Sequence, residues 1–417
     1  MARIVLATFG SLGDLHPVVA LALELRRRGH RAEIATSTIY EGKIAALGLG
    51  FHALRPAITV LDERMVRQVM HGSRGSTYLL RDLMFPSVRD MHADLGRIAA
   101  GADCLVASEL VYAAPLIAAQ TGLPWVSYSL APISLFSVLD PSLLPGPPGT
   151  HLLQSLGPGA NRLLRLAAKA RTHPWWRPVR ALRRELGLPP GRHPLFEGKY
   201  SPRLDLALFS PVLQPAQADW PAQTLQCGFP FHDELESADG LPPAVTEFLA
   251  RGPAPVVFTL GSSAVHMADD FYVRSADAAR QLGRRALLLV GKNPPPSNLP
   301  NTILAWDYLP YARIFPHAAA IVHQGGIGTT AQALRAGKPM LVMPFAHDQP
   351  DNAARVTRLG VARTIARSRY HAPRVADELT ALLNAPEYAR RASEAGRRIR
   401  DERGVAAACD AIERQLR

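Results

Sequence analysis

The chain has 417 residues, 47% of them hydrophobic, and a mean hydropathy near zero. A single core stops growing near roughly 250–300 residues, so two soluble globular domains are expected. Three widely separated cysteines, Cys104, Cys227 and Cys409, exclude a disulfide framework and a zinc pattern and fit a reducing cytosol.

The first apolar run, Ile4 to Phe9 within ARIVLAT, is too short for a signal segment and predicts a strand; no run approaches the roughly 18 residues of a membrane span. FGSLGDLH reads as a loop, and PVVALALELRRRGH as a helix with Pro17 in its first turn and Gly29 as terminator. The spacing of Gly10 and Gly13 is not G-x-G-x-x-G and no Walker lysine follows, so neither a dinucleotide nor an ATP site is supported. Asp14, three residues before Pro17, is either a helix cap or an acid poised beyond a strand. RAEIATS, LGFHAL, CLVASE and PWVSYSL are further strands, separated by helical stretches. This β–α alternation predicts a parallel sheet.

From Ala131 to Pro148 the chain is rich in Pro, Ser, Leu and Phe, and it leads into a basic, tryptophan-bearing segment ending near Tyr200. Phe136, Leu144, Trp175 and Trp176 are candidates for an acceptor wall; the alternative is an amphipathic helical hairpin packed on the domain. The net charge of +12 is mostly arginine, densest from Arg162 to Arg203. It suits an anionic partner or a plain solvated surface. Arg162, Arg165, Lys169 and Arg171 recur at spacings that could share one helical face. We expect a first domain over 1–212, a Pro-rich linker over 213–240, a second domain over 241–400 and a final helix over 401–417.

The second domain restarts the β–α series at PVVFTLGSSAV, with Ser262 and Ser263 after its strand. The run AAAIVH then ends in Gln324-Gly325-Gly326-Ile327-Gly328, with a helix expected from Thr329. Glycines between a strand and a helix N-terminus suit a diphosphate, because backbone N–H groups and the helix dipole face it; His323 and Thr329 could add donors. The alternative is a tight turn with a cap. The buried-type strand MLVMPF next delivers Asp348 and Gln349 to the same edge of the sheet, a carboxylate and an amide suited to sugar hydroxyls. No D-x-D triplet occurs, so a metal-bridged diphosphate is not expected.

These motifs resemble the donor signature of glycosyltransferases with two facing Rossmann-like domains, the GT-B architecture, in its bacterial and sterol-enzyme form. The resemblance implies an α/β fold with parallel sheets. It assigns the diphosphate to His323, Gly325, Gly326, Gly328 and Thr329 with Gly13, Ser262 and Ser263. It assigns the sugar to Asp348 and Gln349, and the base to Tyr308 and Leu309 with Trp306 as second choice for stacking. GSLGDLHP is similar to the G-S/T-x-G-D-x-x-P motif of macrolide, glycopeptide and sterol glycosyltransferases, which makes Asp14 the general base and His16 its competitor. Plant enzymes orient a His at the Asp14 position with an Asp where Ser108 stands here, so that dyad is absent.

FTLGSS…DFY, QPAQADWP…GFPFHD and HQGGIG…AHDQPDNA together resemble bacterial rhamnosyltransferases of rhamnolipid synthesis. The implied reaction is inverting transfer from a dTDP-rhamnose or UDP-glucose type donor to a small hydroxylated, amphipathic acceptor. No cofactor, metal or nucleic acid is expected. The location is cytoplasmic, with the basic segment available for peripheral contact with the membrane. A non-catalytic sugar-nucleotide-binding protein of the same fold is the alternative reading, and the oligomeric state is open.

Overall fold

The short apolar runs of the sequence become two parallel sheets in the computed structural model, which describes residues 1–57, 63–143, 153–233 and 240–416. The chain divides into unit 1, Met1–Val69 with Ser73–His232 and Glu402–Arg417, and unit 2, Met70–Gly72 with Asp233–Asp401.

Unit 1 holds β1 (Arg3–Ala7), β2 (Arg31–Thr36), β3 (Gly50–Ala53), β4 (Cys104–Ser108), β5 (Trp125–Ser129), β6 (Asp205–Ala207) and β7 (Thr224–Gln226), in the order β3-β2-β1-β4-β5-β6-β7. Successive side chains of a strand point to opposite faces, so β1 feeds two cores: Ile4 and Leu6 enter one, Val5 and Ala7 the other. Burial on both faces requires helices on both sides, which explains near-continuous apolar strands. Its helices include α1 (Leu12–Arg27), α2 (Val88–Ala99), α3 (Ala114–Thr121), α4 (Pro158–Thr172) and α5 (Arg177–Glu185).

Unit 2 holds β8 (Val256–Thr259), β9 (Ala286–Leu289), β10 (Ile303–Trp306), β11 (Ala320–His323), β12 (Met340–Val342) and β13 (Ala362–Thr364), in the order β10-β9-β8-β11-β12-β13. Its helices include α6 (Phe271–Gln281), α7 (Ile327–Arg335), α8 (Gln349–Arg358), α9 (Ala372–Asn384) and α10 (Pro386–Arg400). The chain then re-enters unit 1 as α11 (Gly404–Arg414), which packs on α1. Among the described residues no helix is long and apolar enough to cross a membrane.

Two boundaries differ from the sequence reading. The first helix starts at Leu12, not Pro17, because Ser11 and Asp14 form a capping box that satisfies first-turn donors earlier. The segment 213–240 is not simply a linker: β7 lies in it and pairs in parallel with β6, and residues up to His232 belong to unit 1. Prolines there punctuate turns around a three-residue strand too short to show a period.

Both sheets reverse strand order once, between β1 and β4 in unit 1 and between β8 and β11 in unit 2. At such a switch point the loops beyond the strands' carboxyl ends diverge and open a crevice, the usual ligand position of doubly wound sheets.

Candidate active site

In unit 2 the switch point is flanked by the loop after β8, with Ser262 and Ser263, and the glycine loop after β11. His323 ends β11 at 0% exposure. Its Nδ1 accepts the Gly325 N–H at 3.0 Å, so the ring proton resides on Nε2, and Nε2 has no hydrogen-bond partner among the described residues. Burial pushes the imidazole down to about 3, so it is neutral and a donor. An unmet buried donor costs about 1–3 kcal/mol, which an incoming anionic oxygen would recover.

Gly325 has φ +87, and a Cβ there would lie 2.8 Å from Val342 Cγ1, so only glycine fits. Gly326 precedes α7 without a side-chain cap; Gly328 and Thr329 stand in the first turn, where a helix offers their N–H groups no carbonyl of its own. These N–H groups, the helix dipole and His323 Nε2–H form an anion cradle.

Gln324 braces the cradle and was missed in the sequence. Its Oε1 accepts the Gly261 N–H at 3.0 Å and its Nε2 donates to Thr329 Oγ1 at 3.4 Å, tying the two loops together. Asp348 Oδ2 accepts from Ile327 N–H (3.2 Å) and Asn352 Nδ2 (2.7 Å), while Gln349 Oε1 accepts the Phe345 and Ala346 N–H groups at 2.8 and 3.2 Å. The pair expected on the sugar is therefore first a brace for the loop after β12. Tyr308 is 52% exposed, Trp306 is partly buried at the end of β10, and the Leu309 side chain is core, which leaves only its backbone for a base.

In unit 1 Asp14 stands in the first turn of α1 and its carboxylate reaches back to Ser11 at the end of the loop after β1. Its Oδ2 accepts from Ser11 N–H at 2.7 Å and Ser11 Oγ at 3.2 Å. Gly10, at φ +140, makes room: a Cβ there would sit 2.2 Å from that oxygen. Desolvation pushes the Asp14 carboxyl up to about 6; the Ser11 bonds oppose this and the negative charge of Glu109 adds to it. Both sequence readings of Asp14, cap and acid, thus meet in one side chain. His16 Nε2 accepts from Lys43 Nζ at 3.2 Å. The Gly13 N–H is taken by Ser11 Oγ at 3.2 Å, which removes it from the expected phosphate donors.

Residues 4–124 match the glycosyltransferase family 28 N-terminal domain, and residues 287–409 the erythromycin biosynthesis protein CIII-like C-terminal domain. The chain is 34% identical to O-mycaminosyltylonolide 6-deoxyallosyltransferase of Streptomyces fradiae over 99% of its own length and 97% of the relative's. It belongs to the UDP-glycosyltransferase-like GT-B glycosyltransferases. The fold agrees. The glycosyltransferase of kitacinnamycin superposes with TM-score 0.75 at 23% identity, covering 100% of this chain and 99% of that one. A spinosyn rhamnosyltransferase solved with thymidine diphosphate superposes at 0.67 and 18%, covering 99% and 100%.

The expected acceptor wall of this glycosyltransferase is only partly a surface. Phe136, in the left-handed region at φ 48, packs on Phe196 with centroids 4.8 Å apart and remains partly exposed, as does Trp175. Trp176 is not wall but core, buried beside His173 and His193; a flat apolar ring among arginines still goes inside. Leu144 lies outside the described residues. The four basic residues do not share one free face: Arg165 and Lys169 pair with Glu197, while Arg162 and Arg171 are exposed. Glu109, just beyond β4, was also missed: the plant-type comparison directed attention to Ser108, one residue earlier.

Proposed function

We propose that this glycosyltransferase inverts configuration while moving a hexose from a dTDP- or UDP-linked donor to a hydroxyl of a small amphipathic natural product or lipid. The observation that carries this is the neutral Nε2–H of His323, unbonded among the described residues, beside the glycine loop and the N-terminus of α7, a cradle suited to neutralise a diphosphate with N–H dipoles. The acceptor oxygen attacks the anomeric carbon from the face opposite the diphosphate. Its proton passes to the Asp14 carboxylate, the new C–O bond forms, and the bond to the diphosphate breaks with its electron pair leaving on the nucleotide. The N–H groups of the cradle hold the charge that develops there, so the chemistry asks for no metal or cofactor. Relatives named as transferring deoxyhexoses, and one solved with thymidine diphosphate, support the dTDP-linked alternative. A mass-spectrometric screen of dTDP- and UDP-sugars against mixed hydroxylated acceptors should give an adduct whose linkage is inverted. A retained linkage overturns the mechanism, and binding without turnover makes the protein an auxiliary one.

Tyr308, exposed beyond β10, is the stacking residue for the base in this reading. Tyr308→Ala should weaken nucleotide binding by about 1–3 kcal/mol, by analogy with base–aromatic stacking. Normal binding there, with loss in Trp306→Ala, would exchange the two roles.

In the cytoplasm, α4 offers a peripheral contact for an anionic acceptor or lipid: it exposes Leu163 and Leu166 together with Arg162 and Arg171. Binding to vesicles containing anionic lipid should fall as salt rises from 0.05 to about 0.5 M, because the Debye length shrinks to a few ångströms. Salt-independent behaviour returns these arginines to the solvated surface.

A further inference from the structure

The two segments that leave the β1/β4 switch point carry one carboxylate each, Asp14 in the first turn of α1 after β1 and Glu109 just after β4. Glu109 is held from two sides. Ser134 Oγ donates to its Oε1 at 2.5 Å, and Lys199 Nζ pairs with its Oε2. Tyr200 Oη donates to the Ser134 carbonyl at 2.7 Å and so fixes the loop that carries the serine. The Lys199 side chain is only 4% exposed, and its Nζ lies 4.8 Å from the Phe136 ring centroid and 5.3 Å from that of Tyr200. A cation that deep is costly unless its charge is matched, and here a carboxylate and two ring faces match it. Glu109 itself stays 32% exposed, so its carboxylate borders the crevice rather than the core.

We propose that the Glu109–Lys199 pair is a positioning device that sets the basicity of Asp14, Glu109 presenting a negative charge to it and Lys199 fixing how much of that charge it feels. The proposal rests on the reading of Asp14 as base, and it names residues that the GSLGDLHP motif does not contain. Like charges disfavour a second ionisation, so Glu109 adds to desolvation in holding Asp14 at about 6. The other groups around the pair do not replace it. Tyr40 and Tyr128, which feel Asp14, and Tyr112 and Tyr200, which feel Glu109, are all driven up by burial and stay neutral. Lys43 is engaged with His16. Asp205, also pushed up to about 6 by burial, faces Lys199 and Glu109 and is held by Ser127 and Thr224.

The test is the titration of the Asp14 carboxyl, followed by carbon NMR in the full-length protein and assigned by its loss in Asp14→Asn. Because Asp205 titrates in the same range, that assignment is required. Glu109→Gln should move the midpoint down and Lys199→Met should move it up, each by roughly 0.3–1 pH unit, with the acid limb of kcat/KM following. A purely structural role would not move the two midpoints in opposite directions. Unchanged midpoints, or shifts of the same sign, overturn the proposal. Should Lys199→Met fail to fold, the downward shift in Glu109→Gln alone decides. Activity surviving in Asp14→Asn would remove the base reading, whereas the NMR midpoints would still report the coupling.

Discussion

Asp14→Asn should leave nucleotide binding intact and lower kcat by about 10²–10⁴-fold, the usual worth of a positioned general base. Asparagine keeps the side-chain oxygen that accepts from Ser11 N–H, so the capping box of α1 survives and the change isolates the chemistry. Were Asp14 only a cap, Asp14→Asn would spare turnover, and only a change that removes the oxygen, such as Asp14→Ala, would cost about 1 kcal/mol of stability. The pH dependence makes the distinction sharper. The carboxyl must be ionised to accept a proton, and it sits at about 6, so kcat/KM should fall as pH drops through 6. Stability runs the other way. The folded state binds this proton more tightly than the unfolded chain, whose value is 3.8, so the group's contribution is fully present below 3.8 and is lost as pH rises through 6. At pH 8 Asp14→Asn should therefore be at least as stable as the parent in thermal melts while nearly inactive. Turnover within a few-fold of the parent, or an equal collapse confined to His16→Ala, would transfer the role of base.

His323→Ala should weaken dTDP and UDP binding by about 1.5–3 kcal/mol, roughly 10- to 150-fold, the worth of a hydrogen bond to a charged group. The imidazole is fully buried, its Nδ1 is committed to Gly325 N–H, and its Nε2–H meets no acceptor among the described residues. Since burial holds the ring near 3, it stays neutral from pH 5 to 8. The loss in affinity measured by calorimetry should accordingly be the same across that range. Affinity equal to the parent's removes the cradle, and a loss that grows towards pH 5 means that the ring binds as a cation.

Most strands of both sheets were legible because a buried parallel strand is a short apolar run, and most runs here are followed by glycine or proline; the three-residue β7 and β13 were not read. RIVLA and AIVH announced β1 and β11, and the β–α alternation announced parallel pairing. Less visible were features whose cause lies far along the chain. Lys199 meets Glu109 across 90 positions and Gln324 meets Gly261 across 63, and no local period encodes such partners. The start of α1 was misplaced because Pro17 is a strong local signal, whereas the capping box depends on Ser11 and Asp14 acting together. Trp176 was misplaced for a different reason: HPWWRP shows no apolar period, yet the ring is buried within the core against His173 and His193.

The return of the chain to its starting unit through α11 constrains any hybrid enzyme made from relatives. Ala408, Cys409 and Ile412 of that helix are buried in one core with Leu21 and Leu25 of α1. Arg28 holds Asp410 and Glu413 at 2.5 and 2.8 Å, and Ser210 Oγ donates to Glu402 Oε1 at 2.5 Å. A graft joined once near residue 233 would separate α1 from the helix that completes its packing and leave Arg28 facing a stranger's carboxylates. Two junctions, one near 233 and one near 402, carry unit 1 over whole, so the portable modules of this enzyme are not its two halves in sequence but an interrupted piece and the insert it encloses.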